Sequence, residues 1–296
     1  MNIQNIISEI ENVDPEVYER LDSRRHIMKR FSFIGKTLAL AAVPTALGSM
    51  LNKAYGQTTD DVKDVLLFAY LLENLEAEFY KRVVSTFATN GVPAGAAQGA
   101  MTTIRDHEVA HVNFLKSVLT SLGVTPPTYT AASFDFSGGK GSGTGPFATA
   151  FTNNYAVLLA VAQTFEDTGV RAYKGQAPRL INNNDVLQAA LQIHSVEARH
   201  ASHIRQMRRN LGQLIPAGVL LQPWITQAQS GIDAGNSSVN AAIQLSYNGE
   251  NATTQASVPI TNIGGQMIAA NEASEAFDEP LTKAEITAIV NPFLVG

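Results

Sequence analysis

The sequence contains no cysteine among its 296 residues. Zinc ribbons, iron–sulfur clusters, thiol catalysis and structural disulfides are therefore excluded, and cysteine usage does not indicate the redox compartment. Basic residues are also scarce, because no long run of Lys or Arg follows the first 30 residues. Nucleic-acid binding needs a clustered basic face, so we do not expect nucleic acid as a partner.

Charge is low overall, with 16% charged residues and a formal net charge of −5. Hydrophobic residues make up 45% of the chain, which is enough to bury a core. The composition is typical of a folded globular protein of one large or two small domains.

Residues 1–56 have the pattern of an export signal. Arg24 and Arg25 precede an apolar run over residues 37–51, and the small residues of Ala54–Gly56 offer a cleavage site. The paired arginines resemble the twin-arginine class, which exports folded proteins. The apolar run is shorter than the roughly 20 residues of a membrane span. We therefore expect an exported protein, periplasmic or secreted, with no stable membrane span after processing; an uncleaved anchor or an ordinary amphipathic helix is the alternative.

Residues 57–212 contain four long helical patterns. They extend from about Thr59 to Thr89, from Pro93 to Gly123, from Phe147 to Tyr173 and from Asn184 to Gly212. The Gly- and Pro-rich residues 124–146 predict a long connection between the second and third helices. Two helical hairpins joined by one long crossover are the ferritin-like bundle topology, so the predicted fold class is all-α, a four-helix bundle.

Residues 213–296 have a different character, rich in Ser, Asn, Gly and Thr. Ala241–Tyr247 has a β-like pattern, whereas Thr282 and Glu285 form a capping-box pattern that starts a last short helix. We interpret this region as an irregular C-terminal extension packed on the bundle.

Two Glu-x-x-His motifs lie on the second and fourth helices. They are Glu108 with His111 and Glu197 with His200. A spacing of three places both side chains of a motif on one helix face, about one turn apart, where they can bind one ion.

Each motif is preceded by a further glutamate on the helix before it. Glu73 lies 35 residues before the first motif and Glu166 lies 31 residues before the second; each is followed seven residues later by a tyrosine, Tyr80 or Tyr173. The duplicated unit predicts that four glutamates and two histidines meet inside the bundle, the ligand set of carboxylate-bridged two-metal proteins. Two divalent ions would neutralise the four buried carboxylates, which are otherwise costly.

Leu72–Tyr80, Glu108–Leu115 and Val196–Ala201 resemble the ferritin-like superfamily. Together with the tail segment Phe277–Leu281, they are similar to exported ferritin-like proteins that include the desiccation-related group. The resemblance implies one role for each of the six ligands: Glu73 and His111 bind the first metal, Glu166 and His200 bind the second, and Glu108 and Glu197 bridge them.

Some nearby residues are open to more than one interpretation. His107 stands before Glu108 where the resembling proteins frequently have aspartate, and Val196 stands before Glu197, so the partners of the metal-binding histidines are not assigned. Glu76 is an alternative ligand to Glu73. His203 is either a partner of His200 or a residue of the polar helix face. Tyr80 and Tyr173 are core residues, hydrogen-bond donors or redox relays. Arg205, Arg208 and Arg209 are interpreted as a solvated helix end.

Mixed carboxylate and imidazole ligands suit two iron or two manganese ions. We expect an exported di-metal protein that reacts with O2 or H2O2, with Glu108, Glu197, Tyr80 and Tyr173 as candidate catalytic residues. Ferroxidase and manganese-catalase-like activities both remain open, as does a homo-oligomer. The alternative is a non-catalytic stress- or desiccation-protection protein with a structural metal or none.

Overall fold

A computed structural model describes residues 60–255, 257–261 and 263–296 of the chain, and the predicted export signal lies outside them. Seven α-helices and one two-stranded antiparallel hairpin form within these residues. They are α1 (Asp60–Ser85), α2 (Ala96–Ser121), α3 (Tyr155–Gln176), α4 (Asn184–Leu211), α5 (Ser237–Gln244), α6 (Ala270–Ser274) and α7 (Lys283–Val290), with β1 (Thr254–Gln255) and β2 (Val258–Pro259).

The first four helices form the predicted four-helix bundle. α1 and α2 pack along their length as one hairpin, and α3 and α4 form the other. α2 and α4 approach each other closely over only a short stretch. The all-α fold with one long crossover is therefore confirmed.

The crossover is longer than its composition predicts, because α3 begins at Tyr155 and not at Phe147. Asn154 caps the helix by accepting a hydrogen bond from the Val157 amide, and Asn153 has a positive φ of 57° that interrupts any helix before it. Phe147 is buried in a turn that packs against the core. Its hydrophobicity therefore reflects burial and not helical periodicity.

The crossover is held in place by its own loop and by the chain's C-terminal segment. The Asp135 carboxylate accepts backbone hydrogen bonds from Ser137, Gly141 and Gly143. The Asp135 amide donates to the Phe293 carbonyl. The connection, which the structure describes in full and whose only helical part is the 3-10 turn Ala131–Ser133, is thus ordered by satisfied polar groups.

α3 is buried around its whole circumference from Leu158 to Tyr173. A helix buried on all sides needs packing partners on each of them. α1 and α4 cover part of its surface, and the C-terminal extension covers the rest. One link is the Arg171 guanidinium, which lies 2.6 Å from the Glu250 carboxylate of the extension.

The prediction that Arg205 and Arg208 are solvated is wrong, since both are fully buried and only Arg209 is exposed. Arg205 Nη2 lies 2.5 Å from Asp167 Oδ2, which also accepts a hydrogen bond from the Tyr247 hydroxyl. Arg208 donates to Gln163 and to backbone carbonyls of the extension. Arg208 thus binds acceptors of the extension. Arg205 instead pairs with Asp167 of α3, and its guanidinium lies over the Tyr247 ring of the extension.

Within the extension, the strand suggested for Ala241–Tyr247 is also wrong. α5 and a short 3-10 turn occupy these residues, and Asn236 caps α5 by accepting from two amides of its first turn. The cap and the buried Val239 and Ile243, four residues apart, favour a helix. The capping box that begins α7 at Thr282 and Glu285 is confirmed. Among the described residues, no helix has the length and hydrophobicity needed to cross a membrane.

Candidate metal centre

The six predicted ligands converge at the centre of the bundle. α1 and α3 contribute one glutamate each, and α2 and α4 contribute one Glu-x-x-His motif each. All four glutamates are completely buried. Antiparallel packing within each hairpin brings its lone glutamate to the same height as its motif. The ligands form two groups with shared members.

The first group contains Glu73, Glu108, His111 and Glu197, whose donor atoms all lie within 4.8 Å of one another. His111 Nδ1 is 3.0 Å from Glu73 Oε2, 3.2 Å from Glu108 Oε2 and 3.3 Å from Glu197 Oε1. One ion could therefore contact carboxylates from three different helices and an imidazole.

The second group contains Glu108, Glu166, Glu197 and His200, again with donor atoms within 4.8 Å. His200 Nδ1 is 2.8 Å from Glu108 Oε1 and 3.2 Å from Glu166 Oε2. Glu108 thus directs one oxygen to each histidine. Glu108 and Glu197 belong to both groups, the arrangement required of carboxylates that two ions share.

Several of these donor atoms have no hydrogen-bond partner although they are fully buried. They are Glu108 Oε1, Glu166 Oε2, both carboxylate oxygens of Glu197 and His200 Nδ1. Buried polar atoms without partners are rare and costly in native proteins. Short contacts without hydrogen-bond geometry fit donors directed at a common cation. The residues present therefore fit a two-metal centre.

Each tyrosine of the duplicated unit binds the lone glutamate of the other hairpin. The Tyr80 hydroxyl donates to Glu166 Oε1, and the Tyr173 hydroxyl donates to Glu73 Oε1, both at 2.5 Å. In each glutamate the other oxygen faces a histidine. The tyrosines therefore fix one carboxylate oxygen and leave the second available to an ion. Burial and the adjacent glutamate raise the pKa of both phenols well above the ordinary value, so both remain protonated donors.

His200 has a partner that the sequence left unassigned. His107 Nδ1 lies 2.9 Å from His200 Nε2, and the two rings stack with 5.2 Å between their centroids. Burial, followed by the charge of His200, lowers the pKa of His107. A neutral His107 ring can accept a hydrogen bond at Nδ1 from His200 Nε2. Val196, which precedes the other motif's glutamate, cannot provide such a contact to His111. The histidine at position 107, where the resembling proteins frequently have aspartate, was the sequence signal that the two metal-binding histidines have different partners.

Protons take the place of cations when the cluster is free of metal. Burial would lower the pKa of His200, but Glu166 and Glu108 outweigh it and raise this pKa to about 11. Burial raises the pKa of Glu108 to about 7. Burial and the neighbouring charge of Glu108 together raise the pKa of Glu197 well above its ordinary value. Metal binding must therefore displace protons.

Access to the cluster lies on the side where α2 and α4 are weakly packed. The side chains of His111 and His200 retain 11% and 6% exposure, whereas the glutamates have none. His107 is exposed on the same side. The histidine side of the centre is therefore nearest to solvent.

Comparison with known protein families agrees with this geometry. A family model described as a ferritin-like domain matches residues 61–210, about half of the chain. The chain belongs to the ferritin-like domain family. Neither a curated protein nor a solved structure matches it. The ferritin-like match covers α1 to α4 except for Asp60 at the start of α1 and Leu211 at the end of α4. It includes all six residues of the two donor groups.

Proposed function

We propose that this ferritin-like protein is a di-metal carboxylate protein whose two iron or two manganese ions react with O2 or H2O2, in metal oxidation or oxidative-stress defence. The observation that supports it is the pair of buried donor groups that share Glu108 and Glu197. Mixed carboxylate and imidazole donors suit iron and manganese. Two divalent ions also balance the four carboxylates.

In this proposal each ion has its own terminal ligands. Glu73 and His111 would hold one ion and Glu166 and His200 the other, with Glu108 and Glu197 available to both. Two redox-active ions that share carboxylates can exchange two electrons with O2 or H2O2. The chain's own part is to orient the terminal carboxylates through Tyr80 and Tyr173 and to exclude water from the carboxylate side.

The proposal extends to location and relationship. The paired Arg24 and Arg25, the apolar run and the small-residue site support export with cleavage near Gln57. The tail Phe277–Leu281 supports a relationship to the desiccation-related group. Replacing both arginines by lysine should retain the full-length precursor inside the cell, while the unmodified protein is found shortened outside the cytoplasmic membrane. Full-length unmodified protein in the cytoplasm would contradict export.

The central experiment is metal analysis followed by two assays. Purified protein loaded anaerobically with Fe(II) or Mn(II) should bind about two ions per chain. The iron-loaded form is then mixed with O2 while oxygen consumption is followed, and the manganese-loaded form is mixed with H2O2 while peroxide decay is followed. Reaction in the first assay indicates ferroxidase activity, and reaction in the second indicates catalase-like activity.

The controls distinguish the rival function. His111→Ala and His200→Ala should each lower the affinity for a different one of the two ions. A protein that binds neither Fe(II) nor Mn(II) would overturn the proposed metal centre. A protein that binds two ions but reacts with neither O2 nor H2O2 would instead favour the non-catalytic, stress-protection function.

A further inference from the structure

A network of buried polar side chains joins α3, α4 and the C-terminal extension beside the second group of donors. At its centre, Asp167 of α3 accepts from two guanidinium nitrogens of Arg205 of α4, at 2.5 and 3.3 Å. The Tyr247 hydroxyl of the extension donates to the same carboxylate at 2.6 Å. Gln163, one turn earlier on α3, donates to the Tyr247 oxygen at 2.9 Å. All four side chains are almost completely buried, so water does not compete for these bonds.

The network lies next to the two terminal ligands of the second group. Asp167 directly follows Glu166 on α3, and Arg205 follows His200 by five residues on α4. Glu166 Oε2 and His200 Nδ1 are 3.2 Å apart. A guanidinium bound to both oxygens of a carboxylate has a defined orientation, so α3 cannot slide along α4 without breaking these bonds. The ion pair therefore fixes the height at which Glu166 meets His200.

The first half of the duplicated unit differs at the equivalent positions. They hold Asn74, directly after Glu73, and Lys116, five residues after His111. Asn74 donates to the Tyr70 carbonyl of its own helix, and Lys116 is exposed. Within the described residues, these two side chains therefore do not join α1 to α2. The second pair of terminal ligands has a buried polar tie at positions where the first pair has none.

A gain in stability is not a sufficient reason for this ion pair. A buried ion pair is often no more favourable than apolar residues of similar size, whereas its directed bonds favour one packing geometry. Tyr247 adds a contact from the extension, and Gln163 in turn fixes the Tyr247 oxygen. The extension thus reaches the carboxylate that adjoins Glu166 through a single hydroxyl group.

We infer that Tyr247, Asp167 and Arg205 are positioning residues for the second metal position, and that the C-terminal extension controls the metal affinity of that position through the Tyr247 hydroxyl. This inference rests on the proposed two-metal function and gives the extension a part in it. The first metal position, with Glu73 and His111, does not depend on Tyr247. Loss of the hydroxyl should therefore lower the affinity of one position and not of the other.

The test measures Mn(II) affinity by equilibrium dialysis in the full-length protein, with one metal position weakened at a time. His111→Ala leaves mainly the second ion to be measured, and His200→Ala leaves mainly the first. Tyr247→Phe is added to each variant, because it removes the hydroxyl and keeps the buried ring. Tyr70→Phe, which removes the hydroxyl of a buried tyrosine outside the network, is the matched control.

In the His111→Ala background, Tyr247→Phe should lower the Mn(II) affinity roughly tenfold, the lower end of the loss found for residues that orient metal ligands. In the His200→Ala background it should leave the affinity unchanged, and Tyr70→Phe should leave it unchanged in both. Equal losses in both backgrounds, a loss confined to the His200→Ala background, or no loss in either would overturn the inference. If the unmodified protein binds no ion, the proposed function itself fails and the inference fails with it.

A triple variant separates positioning from folding. Asp167→Leu, Arg205→Met and Tyr247→Phe together replace the polar tie by apolar side chains, a change that buried ion pairs often tolerate without loss of stability. Circular dichroism of the metal-free protein shows whether the variant folds. A folded triple variant should show the same selective loss of the second ion, and an unchanged affinity for that ion would contradict the positioning role. Tyr247→Phe alone decides the question if the triple variant does not fold.

Discussion

At the scale of single residues, the two tyrosines show how the hairpins depend on each other. Tyr80 on α1 binds the glutamate of α3, and Tyr173 on α3 binds the glutamate of α1. Their seven-residue spacing from Glu73 and Glu166 places each tyrosine two turns along its helix. Because the helices lie side by side, that displacement brings each hydroxyl to the lone glutamate of the other hairpin.

Tyr80→Phe should therefore lower the affinity for the ion proposed to bind Glu166 and His200 and leave the affinity for the other ion nearly unchanged. A hydrogen bond to a charged group contributes about 1.5–3 kcal/mol, so the metal-loaded protein should lose stability of that order. Metal titration and thermal unfolding measure both effects. Tyr173→Phe is the matched control and should weaken the opposite ion. Equal effects of the two variants on the same ion would contradict this arrangement.

His107 is a positioning residue for His200. His107→Ala removes the acceptor at His200 Nε2 and should lower the affinity of the Glu166–His200 ion by about 10- to 100-fold. His107→Asp retains an acceptor and should lose less. Asp106→Ala, an exposed neighbour, serves as the control in the same Mn(II) titration. Equal losses for His107→Ala and Asp106→Ala would rule out the positioning role.

At the scale of secondary-structure elements, the helices divide the ligands by function. α1 and α3 each supply one glutamate, whereas α2 and α4 each supply a glutamate and a histidine one turn apart. The motif helices meet closely only over a short stretch. Glu108 and Glu197 of the two motifs therefore belong to both donor groups, and each lone glutamate belongs to one.

This division predicts different losses for bridging and terminal ligands. Glu108→Ala should disturb both sites and abolish exchange coupling between the ions in magnetic resonance, even where one ion remains bound. Glu73→Ala should lower the occupancy of one site and leave the other measurable. Glu272→Ala, exposed and remote, is the control. If Glu108→Ala behaves like Glu272→Ala, the bridging assignment fails.

At the scale of the whole molecule, the extension is part of the core and not an appendage. α3 carries Gln163, Asp167 and Arg171, whose side chains bind residues of the extension. Arg171 and Glu250 form an ion pair in which both side chains have almost no exposure. The helix that holds Glu166 and Tyr173 is therefore supported from its outer side by the extension.

Glu250→Ala should destabilise the protein by roughly 3–5 kcal/mol, because it leaves the Arg171 charge buried without its counter-charge. Denaturant unfolding followed by circular dichroism measures this loss. Asp106→Ala, at an exposed position on α2, should change stability by less than about 0.5 kcal/mol. A loss of similar size in both variants would show that the pair does not anchor the extension.

The pH dependence of stability should differ between the metal-free and metal-loaded protein. Burial raises the pKa of Glu108 from 4.5 to about 7 in the folded metal-free state. Its contribution to metal-free stability is therefore fully present below pH 4.5 and is lost as the pH rises through 7. Metal binding strengthens over the same range because fewer protons must be displaced.

The stabilisation by Mn(II) should accordingly increase from pH 5 to pH 8. Melting temperatures with and without Mn(II), measured at four pH values, test this expectation. His111→Ala, with one ion weakened, should show a smaller increase. If the difference in melting temperature between the protein with and without Mn(II) does not depend on pH, proton displacement at the cluster is contradicted.

The sequence by itself determined the four bundle helices, the single long crossover and the identities of the six residues that converge. Helix formation depends on local periodicity, and the repeat of Glu-x6-Tyr followed by Glu-x-x-His is visible without coordinates. The capping box at Thr282 was predictable for the same reason, since its hydrogen bonds join residues three apart.

Only the tertiary structure decided which long-range partner each residue meets. Arg205 and Arg208 have the pattern of a solvated helix end, yet both are buried. Arg205 pairs with Asp167 of α3 and Arg208 donates to the Gly231 carbonyl of the extension, and both partners are remote in sequence. The contact of His107 with His200 and the approach of Glu76 to Gly169 depend on how the two hairpins pack. Sequence spacing determines which face of its own helix a side chain occupies, but contacts between helices depend on packing that spacing does not encode.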